Sequence, residues 1–549
     1  MSNSSSVKWR RETDVIVVGS GGSALVAALT AQRDADVLVL EKAPVIGGTT
    51  AVSGGGLWLP NSPPIVDAAG KIPREDVKTY LSRIVGDHIP EALVDTFLDT
   101  APDVVEFIED ETALEFQVTG YPDYHQHMAG ASPKGHMIEP ALFDGTRLGG
   151  AVDDIRDDPH HPLPVTVMEI YNSGGHARFA QVADFDELIQ RAEDGLLATG
   201  NALIAGLYEA CLDSGVAFEM DAPARELVTE GDRVVGVIAD IDDEAVPVRA
   251  DAVVIAAGGI EWNEELCKNF LRGPMTAPAT PPYSDGDGVT MGMAVGAKTG
   301  NMNEAWWFPT GRVPGEQWED GSPLYRMVWG PRTLPGSILV NKNGNRFCNE
   351  AANYHDLVKT MHTFRPDEYG YENIPAYSIM DSEYRREYRI LSLGPDDDDP
   401  DWLTRAETIE ELAEELAIDA QTLVETVSRF NEHARNHEDP AFGRGRDEYD
   451  TFVGDPEAPH PNLAPVDDPP FYALEIHPGC IGTKGGLVTS NDGSVLSVDE
   501  EPIPGLFASS NSTRHVMGMG YAGAGATLGP NVVFGHLAGR SAAEYASQR

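Results

Sequence analysis

The stretch that most limits what this chain can fold into lies near its start. It reads Asp14-Val-Ile-Val-Val-Gly19-Ser-Gly21-Gly22-Ser23-Ala-Leu, and Val-Leu-Val-Leu-Glu41 follows about 20 residues on. Val15 to Val18 is a short apolar, β-branched run of the kind that forms a strand buried on both faces. Gly19 permits a tight turn, Gly21 lets backbone approach a pyrophosphate, and Gly22-Ser23 keeps side chains small where helix meets strand. A diphosphate would then rest on the N–H groups of the first helical turn. Glu41 ends the second strand, where its carboxylate can accept hydrogen bonds from an adenosine ribose.

The residues after Glu41 choose between dinucleotides. Lys42 leads into Gly47-Gly48-Thr49-Thr50 and then Ser53-Gly54-Gly55-Gly56, a second glycine-rich loop directly behind the ribose-binding acid. Small residues with hydroxyls at this point suit a cofactor that runs on past its pyrophosphate, as FAD does through its ribityl chain. FAD is therefore favoured over NAD. Expected cofactor contacts further along are Ala224, Gly258, Asp285, Asn511 and Leu528.

At 549 residues the chain is too long for one core, so two domains are expected. No apolar run reaches the roughly 18 residues of a membrane span, and Met1 to Thr13 does not read as a leader despite Arg10-Arg11. Cys211, Cys267, Cys348 and Cys480 are widely spaced, which argues against a metal site and fits a reducing cytoplasm. Acids outnumber bases by 88 to 39, and only 10 of the bases are lysine. An evenly acidic, lysine-poor surface suits a high-salt cytoplasm and disfavours nucleic acid and anionic membranes.

Along the chain, 74–100 reads as helical, 201–215 as a small-residue helix, and 226–240 as a hairpin turned at Gly231. Ala252 to Ile255 is a buried strand ending at Gly258-Gly259. Ser337 to Phe347 reads as a hairpin around Asn343-Gly344, 408–436 as acidic helices, and 455–470 as a linker. Trp306-Trp307-Phe308 is an aromatic group, of the kind that more often packs a core but can also wall a cleft. Tyr121 and Tyr124 share a turn-rich loop, and the chain closes with Tyr521-Ala-Gly-Ala-Gly525-Ala-Thr-Leu528-Gly-Pro ahead of a helix.

Taken together, the nucleotide fingerprint, the Gly47-Gly48-Thr49-Thr50 loop, Arg346-Phe-x-Asn349-Glu350 and the closing glycine-rich motif resemble flavoproteins of the fumarate reductase/3-ketosteroid Δ1-dehydrogenase superfamily. The resemblance implies an α/β fold: a discontinuous, Rossmann-like FAD domain (1–297 and 470–549) with an inserted α+β catalytic domain (298–469). Fumarate reductases of that family carry an arginine acid in the slot that here holds Tyr354, as in ketosteroid dehydrogenases. The implied activity is desaturation of a C–C bond next to a ketone: one α-proton leaves to a tyrosine and one β-hydrogen leaves as hydride to flavin N5. By the resemblance Tyr354 is the base, Tyr124 (or its neighbour Tyr121) its partner, and Tyr521 with the Gly525 N–H holds the carbonyl. The competing reading is a reductase of an activated alkene such as fumarate or urocanate, and a third is a flavin-binding protein without chemistry. Implied partners are a cyclic ketone or steroid and an electron acceptor of unknown kind.

The formal charge of −49 repels itself at low ionic strength, so the melting temperature should rise from low to molar KCl. A flat or falling trend would remove the high-salt reading.

Overall fold

Residues 7–549, with the backbone of Ser2–Asn3, are described in the computed structural model. The expectation of no leader falls partly on residues 1 and 4–6, which lie outside the described residues. The strands Val15–Val18, Val37–Leu40 and Ala252–Ile255 are buried along their whole length, as all-apolar strands covered on both faces must be. They form the centre of a six-stranded sheet, with Ala217–Glu219 outside Val37–Leu40 and Pro502–Ala508 beside Ala252–Ile255. All these neighbours pair in parallel, and Ser494–Leu496 adds one antiparallel edge.

Helix Gly22–Ala31 leaves the first strand and lies against the closing helix Leu528–Ala546. The closeness of the two depends on glycine: a Cβ at Gly539 would sit 2.2 Å from the Ala27 carbonyl oxygen. The expected small-residue helix forms as Thr199–Ser214, packs against Gly22–Ala31 and ends at Gly215, which takes the left-handed region. The hairpin Ala224–Glu230/Arg233–Ile241 forms with its turn at Gly231, and Glu244–Arg249 and Arg11–Glu12 extend it.

A second large sheet is built on Phe471–Thr483. This strand pairs with Ala305–Gln317, Ala376–Met380, Ala277–Pro278 and Thr404–Ala406. Residues 471–483 thus share a sheet with strands from 305–317 and 376–380, and the first sheet resumes only at Ser494. The acidic helices form as Ile409–Glu415 and Ala420–Ala434 and cover Ile338, Val340 and Ile379 on one face of this sheet.

One local reading is refined and two change. The stretch 74–100 is two helices, Arg74–Ile84 and Glu91–Glu111, because Gly86 takes a φ of +85° and Pro90 starts the second. Ser337–Asn341 pairs with Ala376–Met380, and its expected hairpin partner is reduced to a single bridge from Val340 to Arg346. Residues 455–470 are a packed segment and not an exposed linker. The buried Asp455 holds Arg178, and the Asn462 amide donates to the Thr333 and Asp450 carbonyls at 3.0 and 2.7 Å.

Candidate active site

Two loops meet where the first strand ends. At Gly19, with φ of +105°, a Cβ would lie 2.5 Å from the Ala256 oxygen, so only glycine makes this turn. The Thr50 hydroxyl accepts from the Gly22 N–H at 3.1 Å, which joins the second glycine loop to the helix start. Glu41 is buried and oriented on both oxygens, by the Ser20 hydroxyl at 2.6 Å and the Ala43 N–H at 2.7 Å. Each oxygen has further lone pairs for ribose hydroxyls. Gly55 has a φ of +68° and would drive a Cβ to 2.4 Å from Thr199, which fixes the bend of the second loop.

One continuous cavity is lined by Gly19, Gly21, Gly22, Ser23, Glu41, Lys42, Gly48, Thr49, Thr50, Ser53, Gly54, Gly55, Ala224, Gly258, Asn511 and Leu528. Asp285 is the exception. It ion-pairs with Lys42 at 2.6 Å, while Asp287, past the left-handed turn at Gly286, both binds Lys42 and lines the cavity. The Ser23 hydroxyl donates to the Asn531 carbonyl at 2.7 Å and is hydrogen-bonded to the Ser509 hydroxyl at 2.9 Å, so it ties the closing helix in place. Ser20, Ser284 and Asn531 also line the cavity and were not picked out by the spacing of the motifs.

The same cavity runs on to Tyr124, Tyr354, Tyr521 and Gly525. Tyr354 is the first residue of helix Tyr354–Met361, capped by the Asn353 side chain, which accepts from the Asp356 N–H. Its ring stacks on Phe308 with centroids 4.0 Å apart, and Trp329 meets it edge-on at 5.5 Å. Phe308 thus walls the cavity, whereas Trp306 and Trp307 are core. The Tyr124 hydroxyl donates to the Tyr354 hydroxyl at 2.6 Å. Tyr121 lines the cavity too, but its hydroxyl accepts from Tyr171 at 3.2 Å, so it is Tyr124 that meets Tyr354.

Tyr521 completes the group, with its ring 5.7 Å from that of Tyr354 and 5.2 Å from that of Tyr124. Its oxygen accepts from the Thr527 hydroxyl at 2.9 Å, which leaves the phenol proton to be donated elsewhere. The Ala522 carbonyl accepts from the Tyr124 N–H at 3.0 Å and the Tyr80 hydroxyl at 2.5 Å, so the tyrosine loop and the closing loop share one anchor. Gly525, at φ of +85°, passes so near Trp58 that a Cβ would lie 2.7 Å from its nitrogen. Its carbonyl accepts from the Trp58 N–H, while its own N–H has no partner among the described residues.

Burial pushes the Tyr354 phenol well above its usual value near 10, and the hydrogen bond from Tyr124 works against that rise. Burial raises Tyr124 and Tyr521 as well, and the Thr527 hydrogen bond opposes the rise at Tyr521. Arg346 and Glu350 do not line the cavity: they pair with each other at 2.7 Å, Arg346 also holds Asp439, and together they brace the turn before Tyr354. His160, His161 and His176 line the cavity without any sequence signal having marked them. His125, His477 and His515 are not among its lining residues.

The chain matches the FAD binding domain family over residues 14–528. It is 38% identical to 4-oxocyclohexanecarboxylate 2-dehydrogenase of Sinomonas cyclohexanicum, over 98% of this chain and 94% of that one. It is 35% identical to 3-oxosteroid 1-dehydrogenase of Mycolicibacterium smegmatis, over 96% of each. A crystal structure of 3-ketosteroid Δ1-dehydrogenase from Sterolibacterium denitrificans, in complex with 1,4-androstadiene-3,17-dione, superposes with a TM-score of 0.90 at 33% identity, covering 98% of this chain and 100% of that one. The chain belongs to the FAD binding domain family, among the flavoproteins that include the 3-ketosteroid Δ1-dehydrogenases.

The two glycine loops and the oriented Glu41, which line one cavity, fit FAD. The purified protein should be yellow, and acid precipitation should release one FAD into the supernatant. Flavin that stays with the pellet would show a covalent link instead.

Proposed function

We propose that this protein is an FAD-dependent dehydrogenase that introduces a C=C bond next to the ketone of a cyclic or steroid-like substrate. The observation that carries the reading is the 2.6 Å bond between Tyr124 and Tyr354, beside Tyr521 in the cavity that the nucleotide loops also line. FAD would be held by the Gly19–Gly22 turn, Glu41 and the 48–55 loop, and when bound it supplies a two-electron acceptor able to take a hydride.

The residues of the chain divide the remaining work. The Tyr521 hydroxyl, with its oxygen already accepting from Thr527, and the free Gly525 N–H would donate to the ketone oxygen and stabilise the enolate that develops there. Polarising that carbonyl acidifies the α-proton, which the Tyr354 oxygen would remove. Tyr124 donates to the same oxygen and would stabilise the phenolate. Phe308, Trp329, Met327 and Ile170 would pack an apolar ring system and exclude water.

By the same reading, the parallel sheet is a Rossmann-like FAD domain interrupted by an α+β catalytic insertion, which sheet pairing extends to about Thr483. The four cysteines are buried and unpaired, which supports a reducing cytoplasm. No helix among the described residues is long and apolar enough to cross a membrane.

Tyr354→Phe keeps the stack on Phe308 and removes only the hydroxyl. It should retain FAD and lose 10²–10⁴-fold, roughly 3–5 kcal/mol of barrier, in the anaerobic rate of flavin reduction by a ketone substrate. A rate within about threefold of the parent would show that Tyr354 is not the base.

The pH profile has a definite sign. The active form of the base is the phenolate, and burial raises the Tyr354 phenol, so its phenolate fraction at neutral pH is small and grows with pH. Flavin reduction should accelerate by up to about tenfold per pH unit on the alkaline side of neutrality. A profile that falls from pH near 7 toward 9 would contradict the assignment.

A further inference from the structure

Arg332 is fully buried yet forms no ion pair among the described residues. An arginine keeps its charge across the ordinary pH range, and a buried charge normally finds a carboxylate. The acids near it are committed elsewhere: Glu350 to Arg346 and Arg444, Asp439 to Arg346, and Asp450 to the Asn349 amide and the Gly445 N–H. Arg332 is held instead by carbonyls. Its Nε donates to Val328 at 3.1 Å, and its Nη1 donates to Glu350 and Ala352 at 3.0 and 2.8 Å, while Nη2 has no partner.

Those carbonyls lie on the segments that shape the reaction end of the cavity. Glu350 and Ala352 lead directly into Tyr354, and Val328 precedes Trp329, whose ring meets Tyr354 edge-on. The guanidinium carbon lies 5.8 Å from the Trp329 ring centroid and 6.0 Å from that of Tyr354. The titratable groups packed against Tyr354 are otherwise phenols: Tyr124, Tyr449 and Tyr521. On the helix that carries Tyr354, the adjacent His355 faces Lys484, the Met519 carbonyl and the Tyr521 ring. Arg332 is also close enough to the phenols of Tyr121, Tyr171 and Tyr449 to favour their charged forms, and it disfavours the cation of His176.

From this arrangement we infer that Arg332 is a positioning residue for the proposed reaction: its carboxylate-free guanidinium ties down the turn that leads into Tyr354 and favours negative charge on that phenol. The inference rests on the reading of Tyr354 as base. The guanidinium carbon lies 6.0 Å from the Tyr354 ring centroid, and among the described residues no carboxylate pairs with it.

The test uses the FAD-loaded protein and the anaerobic rate of flavin reduction by a cyclic ketone or 3-ketosteroid, followed from about pH 6 to 10. Arg332→Met removes the charge, Arg332→Lys keeps it, and Tyr354→Phe is run beside them. Should Arg332→Met not fold, Arg332→Gln, which retains donors for the carbonyls, is read in its place. The charge-free variant should shift the rising limb of the profile about one pH unit or more upward, a loss of about tenfold at neutral pH that recovers toward alkaline pH. Arg332→Lys should leave the limb where it is. A charge-free variant whose limb does not move, with any loss uniform across pH, overturns the inference and leaves Arg332 a structural anchor. If Tyr354→Phe reacts as fast as the parent, the base assignment is what fails. If Tyr354→Phe is slow and the limb stays in place, only the role of Arg332 fails.

Discussion

Three phenols from distant parts of the chain are packed in one buried pocket, and a buried hydroxyl must find a partner or forfeit hydrogen-bonding energy. The structure meets that demand in a way that leaves chemistry available. Tyr124 donates to Tyr354, Thr527 donates to Tyr521, and the Gly525 N–H has no partner among the described residues. The Ala522 carbonyl accepts from both the Tyr124 N–H and the Tyr80 hydroxyl and so helps hold the group together. That single oxygen joins the tyrosine loop to the closing loop, and the closing helix behind it is pressed on Gly22–Ala31 through Gly539. Cofactor cradle and tyrosine group are therefore held by the same helix pair.

Electrostatics and burial pull in opposite directions at Tyr354. Exclusion of water raises the phenol, which suits an apolar substrate but opposes proton abstraction. The hydrogen bond from Tyr124 favours the phenolate, and the Arg332 guanidinium lies 6.0 Å from the ring centroid. Such a base would be weakly populated and strongly basic, so its efficiency depends on the carbonyl being polarised at the same time.

Much of this was legible in the sequence where the signal is local. The strand-turn-helix at Val15 to Ala31, the acid at Glu41 and the second glycine loop are written in consecutive residues, and their geometry follows from steric rules for glycine. Tyr354, Tyr124 and Tyr521 came from family resemblance, because nothing local says that residues so far apart will touch. Choosing Tyr124 over Tyr121 needed the partner Tyr171, and choosing Asp287 over Asp285 needed the turn at Gly286. Thr527 and Arg332 were invisible for the same reason: each matters through one long-range approach. Residues 455–470 misled because Pro and Asp read as solvent-exposed linker, whereas Asp455 is buried on Arg178.

The central claim is that this cavity desaturates a ring next to its ketone. The direct measurement is anaerobic mixing of the FAD-loaded protein with cyclic ketones and 3-ketosteroids, following loss of the yellow absorbance and analysing the product. Bleaching by at least one such ketone is expected, with one enone formed per flavin reduced and its new double bond at the carbon next to the carbonyl. Oxidised flavin that persists with every ketone, while chemically reduced protein is reoxidised by fumarate or a similar alkene, would contradict it.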